Sequence, residues 1–167
     1  YNEPFDWCKP FNKDDQVGSD GVKTSTLPIY GTTEDRKEGN AAFVKSGLKD
    51  YNPDGECMYL ASDYLKMGRG GNQTGVILPA LDAVAEGYCT DVELTFEICP
   101  NIGGSKIPDE VTVSVEIVEG PGTIGGEAKL SDPITPEGKY VWTPVSMKLY
   151  GITADTRIVI RSTQQGQ

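Results

Sequence analysis

One nine-residue stretch limits the fold more than any other feature of the chain. From Asp91 to Cys99, Val92, Leu94, Phe96 and Ile98 alternate with Asp91, Glu93, Thr95 and Glu97. Successive side chains of a strand point to opposite faces, so this period of two predicts a strand with one face in a core and one in water. Glu110 to Val118 repeats the pattern with Val111, Val113, Val115 and Ile117 inward, and it stops at Glu119-Gly120-Pro121-Gly122, a strong turn signal. Two such strands must pack on another layer.

Further strands are expected over Cys57 to Met67, Gly75 to Leu78, Tyr140 to Tyr150 and Thr156 to Arg161. Pro144 cannot donate to a ladder, which predicts an edge position or a bulge there. Ile158 and Ile160 are expected inward, and Gly151 to Asp155 reads as the turn of a hairpin between the last two strands. Residues 1 to about 50 are polar and broken by Asp14-Asp15, Gly18, Asp20-Gly21, Gly31, Gly39 and Gly47, so they read mostly as loop. Within them a short strand is expected over Ser25 to Tyr30, and one helical turn or a strand over Asn40 to Lys45. Twenty glycines and eleven prolines spread along the chain suit many short strands. The expectation is an all-β, two-sheet antiparallel β-sandwich, with a barrel as the lesser alternative. The 167 residues read as one domain, loop-rich over 1–50, with a frayed tail at Gln164 to Gln167.

Charge and composition narrow the function. A net charge of −10 repels phosphate backbones and anionic lipid headgroups, so neither nucleic acid nor a membrane surface is expected as a partner. No run approaches the ~20 apolar residues of a membrane helix. Tyr1 to Phe11 lack the charged start and apolar stretch of an export signal, which is expected to have been removed or to lie outside this sequence. The absence of histidine excludes Ser-His-Asp and Cys-His nucleophile systems and most catalytic zinc sites. Cys8, Cys57, Cys89 and Cys99 have no C-x-x-C spacing. A strand from Cys89 to Cys99 spans about 33 Å, far beyond the roughly 5.5–6 Å of a disulfide, so those two cannot pair. Two bridges, Cys8–Cys89 with Cys57–Cys99 or Cys8–Cys99 with Cys57–Cys89, and four free thiols all remain open.

The order and punctuation of these strands resemble galactose-binding-like jelly-roll domains of Bacteroidetes surface proteins. The resemblance rests on Phe5-Asp6-Trp7, on Tyr64-Leu65-Lys66-Met67-Gly68 followed by Thr74-Gly75 and Leu78-Pro79, and on Thr95-Phe96. It continues in Trp142, in Leu149-Tyr150-Gly151-Ile152-Thr153 and in Thr156-Arg157-Ile158. It implies a jelly roll, export to the cell surface, and glycan recognition through loops at one end of the sandwich. Such domains continue into a closing strand beyond the Thr-Arg-Ile strand, so the resemblance also implies a piece of a larger surface protein.

Sugar binding needs an exposed ring for stacking and polar side chains for hydroxyls. Trp7, Tyr51, Tyr64, Trp142 and Tyr150 supply rings, and Asp63, Arg69, Asn72 and Gln73 supply polar groups around the glycine-rich loop Gly68 to Gly75. The ligand-binding candidates are Tyr64, Arg69, Asn72, Gln73 and Trp142; the competing reading makes the rings core and the loop a connection. No cofactor is required. Asp50, Asn52 and Asp54 have the spacing that opens a calcium loop, with Gly55 at its sixth position, and are candidates for a structural Ca²⁺. Ala61 stands where an EF-hand needs its bidentate glutamate, and a plain Asx turn is the competing reading. The sequence thus points to a non-catalytic carbohydrate-binding or adhesion module, its partners a glycan or neighbouring domains. The alternatives are a structural spacer or protein-interaction sandwich and, behind them, a carboxylate-based glycoside hydrolase.

Overall fold

The computed structural model describes residues 1–11, 26–61, 63–100, 112–138 and 141–163. A 3-10 helix, Asp6–Phe11, is followed by β1 (Leu27–Pro28), α1 (Glu34–Lys45) and β2 (Lys49–Asp50). After a 3-10 turn, Pro53–Gly55, come β3 (Met58–Leu60), β4 (Leu65–Met67), β5 (Gly75–Ile77) and β6 (Thr90–Ile98). The chain continues through β7 (Val113–Glu119), β8 (Thr123–Ile124), β9 (Thr143–Ile152) and β10 (Arg157–Ser162). Expectations for Asp14 to Gly21, Ser25, Glu110, Val111, Tyr140 and Gln164 to Gln167 lie outside the described residues. Among those described, no helix is long and apolar enough to cross a membrane.

The protein is mostly β, and all its strand pairings are antiparallel among the described residues. Three sheets form where two were expected, in the orders β1-β3-β4, β2-β5-β10-β7 and β6-β9-β8. The additional sheet arises because Cys57 to Met67 is a hairpin rather than one strand. Leu60 pairs with Leu65, and the Ala61 N–H donates to the Tyr64 carbonyl at 3.1 Å to close the reversal. The expected hairpin at Gly151 to Asp155 is a second correction. There β9 pairs with β6 and β8, whereas β10 pairs with β5 and β7, so the connection crosses between sheets. The Thr156 hydroxyl, 1% exposed, fixes the crossover: it accepts from the Thr153 N–H at 3.0 Å and donates to the Pro121 carbonyl at 2.8 Å.

The third correction is α1, which runs for twelve residues where at most one turn was expected. Glu34 and Asp35 in its first turn and Lys45 in its last suit the helix dipole. Gly39, which reads as a loop breaker, is a contact residue instead. A Cβ there would come within 3.1 Å of Leu60 and 3.2 Å of Leu27, so a larger residue would require these leucine side chains to give way for the helix to sit this close to β1 and β3.

One buried cluster joins all the sheets. Val76, Val115, Ile117, Ile158 and Ile160 from one sheet pack with Ile124, Leu149 and Ile152 from another, and Met58, Leu60, Phe43, Cys8, Ile29 and Leu48 complete it. Ile158 and Ile160 are inward as expected, at 4% and 7% exposure. Pro144 lies opposite Glu97 of β6, and β8 joins β9 only at Leu149 and Tyr150. That end of β9 is therefore an edge among the described residues, as the missing N–H requires. All four cysteines are free thiols, Cys8 and Cys57 buried, Cys99 half-buried and Cys89 exposed.

Candidate functional site

Folding brings Tyr64 and Trp142 together. Tyr64 ends the β3–β4 reversal and Trp142 immediately precedes β9, and their ring centroids lie 5.3 Å apart at an interplanar angle of 67°. This edge-to-face arrangement is the favourable one for aromatic quadrupoles. Trp142 is 36% exposed and Tyr64 half-buried, so the tyrosine braces an indole that remains open to solvent. Exposed Asp63 adjoins the pair in sequence. It also marks where the Asp6–Phe11 helix lies: burial, then the Glu3 and Asp63 carboxylates, pushes the Cys8 thiol up to about 12.

Arg69, Asn72 and Gln73 occupy the opposite end of the same hairpin, where the Gly68 N–H donates to the Cys57 carbonyl at 2.9 Å. Arg69 pairs with Glu56 at 3.4 Å, both side chains more than half exposed. The Asn72 N–H donates to the Arg69 carbonyl at 3.1 Å. Gln73 is committed to the framework: its Nε2 donates to the Ser162 carbonyl at 2.8 Å, and its own carbonyl accepts from Asn52 Nδ2 at 2.9 Å. The five ligand-binding candidates thus split into an aromatic pair and a polar loop. Sequence reading missed the Glu56 partner of Arg69, and it missed Lys66, whose ammonium lies 4.7 Å from the Tyr59 ring centroid. Both contacts follow from the hairpin register, which pairs Tyr59 with Lys66 and carries no local sequence signal.

The Asp50 loop is an Asx turn closed by a 3-10 cap. Asp50 Oδ1 accepts from the Asn52 N–H at 2.8 Å, and Asn52 Oδ1 accepts from the Gly55 N–H at 3.2 Å. Asp54 is exposed. Two of the three candidate calcium ligands therefore spend an oxygen on backbone N–H groups. Among the described residues no group of three or more Cys, Asp or Glu side chains is placed to hold a metal ion, and the two bonds to backbone N–H groups suit the Asx-turn reading. Gly55 serves packing: a Cβ would lie 2.9 Å from the Cys57 sulfur.

Asp50 stands opposite Val76, a core residue, and its Oδ2 is buried without a hydrogen-bond partner. Burial raises its pKa, while the Asn52 N–H opposes the rise. The folded protein thus holds this proton to higher pH than the unfolded chain, and in that window stability falls as pH rises. Asp50→Asn should flatten this slope and stabilise the protein above the window by less than about 1 kcal/mol, a modest figure because the group is partly solvated. Urea unfolding midpoints from about pH 4 to 7 check it. A Ca²⁺ ion bound there would reverse the sign, making the variant less stable than the wild type in calcium but not in EDTA.

The remaining rings divide by environment. Trp7 packs on Phe43, with centroids 6.4 Å apart, and its indole N–H donates to Glu3 at 3.1 Å. Tyr51 is half-buried beside β5, its N–H bonded to the Gly75 carbonyl. Tyr150 is 37% exposed on the outer face of β9. Compared with known proteins, the chain matches no family model, no curated protein and no solved structure.

Proposed function

We propose that this chain is a non-catalytic carbohydrate-binding or adhesion module of an exported surface protein, its sheets arranged as a jelly roll of the galactose-binding-like kind. The observation that carries the reading is the Tyr64–Trp142 pair. A sugar stacks on an exposed, immobile ring, and a ring already held by an edge-to-face partner loses little freedom on binding. Trp142 is the platform and Tyr64 its brace. Neighbouring Asp63 supplies an acceptor for hydroxyls, while Arg69, Asn72 and Gln73 at the far end of the hairpin are spectators.

A glycan array probed with the wild-type chain, Trp142→Ala and Arg69→Ala, each in Ca²⁺ and in EDTA, tests this. Binding by wild type and Arg69→Ala, lost by at least about tenfold in Trp142→Ala, supports the module; stacking on one ring is of that order. Silence of the wild type in both buffers sinks it and favours a spacer. Binding that survives Trp142→Ala moves the site elsewhere.

A further inference from the structure

The two strands with the same alternating sequence pattern differ in burial. In β7, Val113, Val115 and Ile117 are 8%, 0% and 3% exposed, because β10 flanks one side and residues 129–134 the other. In β6, Val92, Leu94, Phe96 and Ile98 are only half-buried. β9 pairs along one side of β6, and among the described residues nothing pairs along the other. Alternate residues of an antiparallel strand turn both N–H and C=O to the same side, so about four or five of the nine face outward unpaired.

The other sheet edges are blunted. β1, β2 and β8 are two residues long, β4 is three, and β7 is covered by residues 129–134. Among the described residues β6 is open along its whole nine-residue length beside an incompletely covered apolar row, whereas the open end of β9 carries Pro144, which has no N–H to offer. Long exposed edges pair with other strands unless something prevents it. The outer face of β6 carries exposed Asp91, Glu93 and Glu97. A second copy pairing here would bring like charges together, which disfavours self-association.

We infer that β6 is a docking edge for an extended partner segment that alternates apolar and basic residues. Such a segment adds a fourth strand to the β6-β9-β8 sheet by β-augmentation. Its apolar residues complete the cover over Val92, Leu94, Phe96 and Ile98, and its basic residues lie beside Glu93 and Glu97. An open depression at Thr95–Glu97 and Pro144–Ser146 accepts one of the partner's larger side chains.

The test uses the full chain and three nine-residue peptides: alternating Lys and Val, alternating Glu and Val, and Lys and Val in separate blocks. Fluorescence anisotropy at physiological salt gives affinity, and hydrogen exchange of the Thr90–Ile98 amides gives location. The expected result is that the alternating Lys/Val peptide binds at least about tenfold more tightly than either control and protects β6 amides. The exposed double variant Glu93→Lys/Glu97→Lys, checked for folding by circular dichroism, should invert the preference toward the Glu/Val peptide. Equal binding of the block peptide, binding without β6 protection, no binding, or a dimer of the chain sealing this edge would each overturn the inference.

Discussion

Replacing Leu149 with alanine is expected to lower the unfolding free energy by about 3–5 kcal/mol. Leu149 is fully buried, and β9 is paired on both sides at that point, with Val92 of β6 opposite on one side and Ile124 of β8 on the other. Its side chain belongs to the cluster that joins the sheets. A strand held by two neighbours cannot sag inward to refill the space, so the cavity persists and the cost falls toward the upper part of the usual range. Met147, two residues earlier on the same face, is only half-buried and has β6 on one side alone. Met147→Ala should cost roughly 1–2 kcal/mol, since partly exposed methylenes lose less on removal. Urea titrations read both: the midpoint should fall much further for Leu149→Ala, with the slope m unchanged if unfolding remains two-state.

The contrast between those two positions also shows what the sequence could reveal. β6 and β7 were legible because alternation is a direct consequence of strand geometry. How deeply each would be buried was not, since that depends on a neighbouring strand supplied from elsewhere in the chain. β10 was read for Ile158 and Ile160, yet Val159 is fully buried as well. It lies on the opposite face, beside Glu116 and Arg161, which form a partly buried ion pair at 2.6 Å. The long arginine stem can cover apolar surface while its head stays paired, so the run Ile158–Val159–Ile160 has no polar break. The β3–β4 reversal carries neither Gly nor Pro between Ala61 and Tyr64; Ser62-Asp63 is its only turn-favouring chemistry, a weak signal inside an otherwise strand-like run. α1 was hidden by Gly39, whose role as a close-contact residue is visible only beside Leu27 and Leu60.

The candidate site divides in the same way. Tyr64 and Trp142 could each be named from the side-chain types that stack on sugars. Their contact could not, because it needs the weakly signalled hairpin to reach the start of β9. Arg69, Asn72 and Gln73 read as a polar loop free to meet a ligand, and local chemistry gives no sign that Gln73 is bonded to Ser162 and Asn52. The spacing of Asp50, Asn52 and Asp54 equally suits a calcium loop and an Asx turn; the difference lies in where each oxygen points.

Gly75→Ala is expected to destabilise the protein by about 3 kcal/mol, although it adds a single methyl group. Gly75 pairs with Arg161 across β5 and β10. A Cβ at Gly75 would stand 2.6 Å from Arg161 Cβ, 2.7 Å from the Ile160 carbonyl oxygen and 2.9 Å from Arg161 Cα. No rotamer change can clear these atoms, so the strands must separate. Separation strains the Thr74 N–H bond to Ser162 Oγ at 3.0 Å, the Ser162 N–H bond to the Thr74 carbonyl at 2.8 Å and the Gln73 bond to Ser162. Each lost bond adds about 0.5–1.5 kcal/mol. Gly68→Ala is the control. Its φ of +134° makes any side chain strained, but nothing lies within 4 Å of the added carbon, so the cost should stay near 1–3 kcal/mol and leave β5–β10 exchange unchanged. Adding Arg161→Gly to Gly75→Ala removes the Cβ–Cβ clash while leaving the Ile160 carbonyl and Arg161 Cα in place, so it should relieve only part of the clash. A double-mutant cycle measures that coupling. If Gly75→Ala leaves both the urea midpoint and the protection of the Val76 and Ser162 amides at wild-type values, the close approach of β5 to β10 is not what requires glycine there.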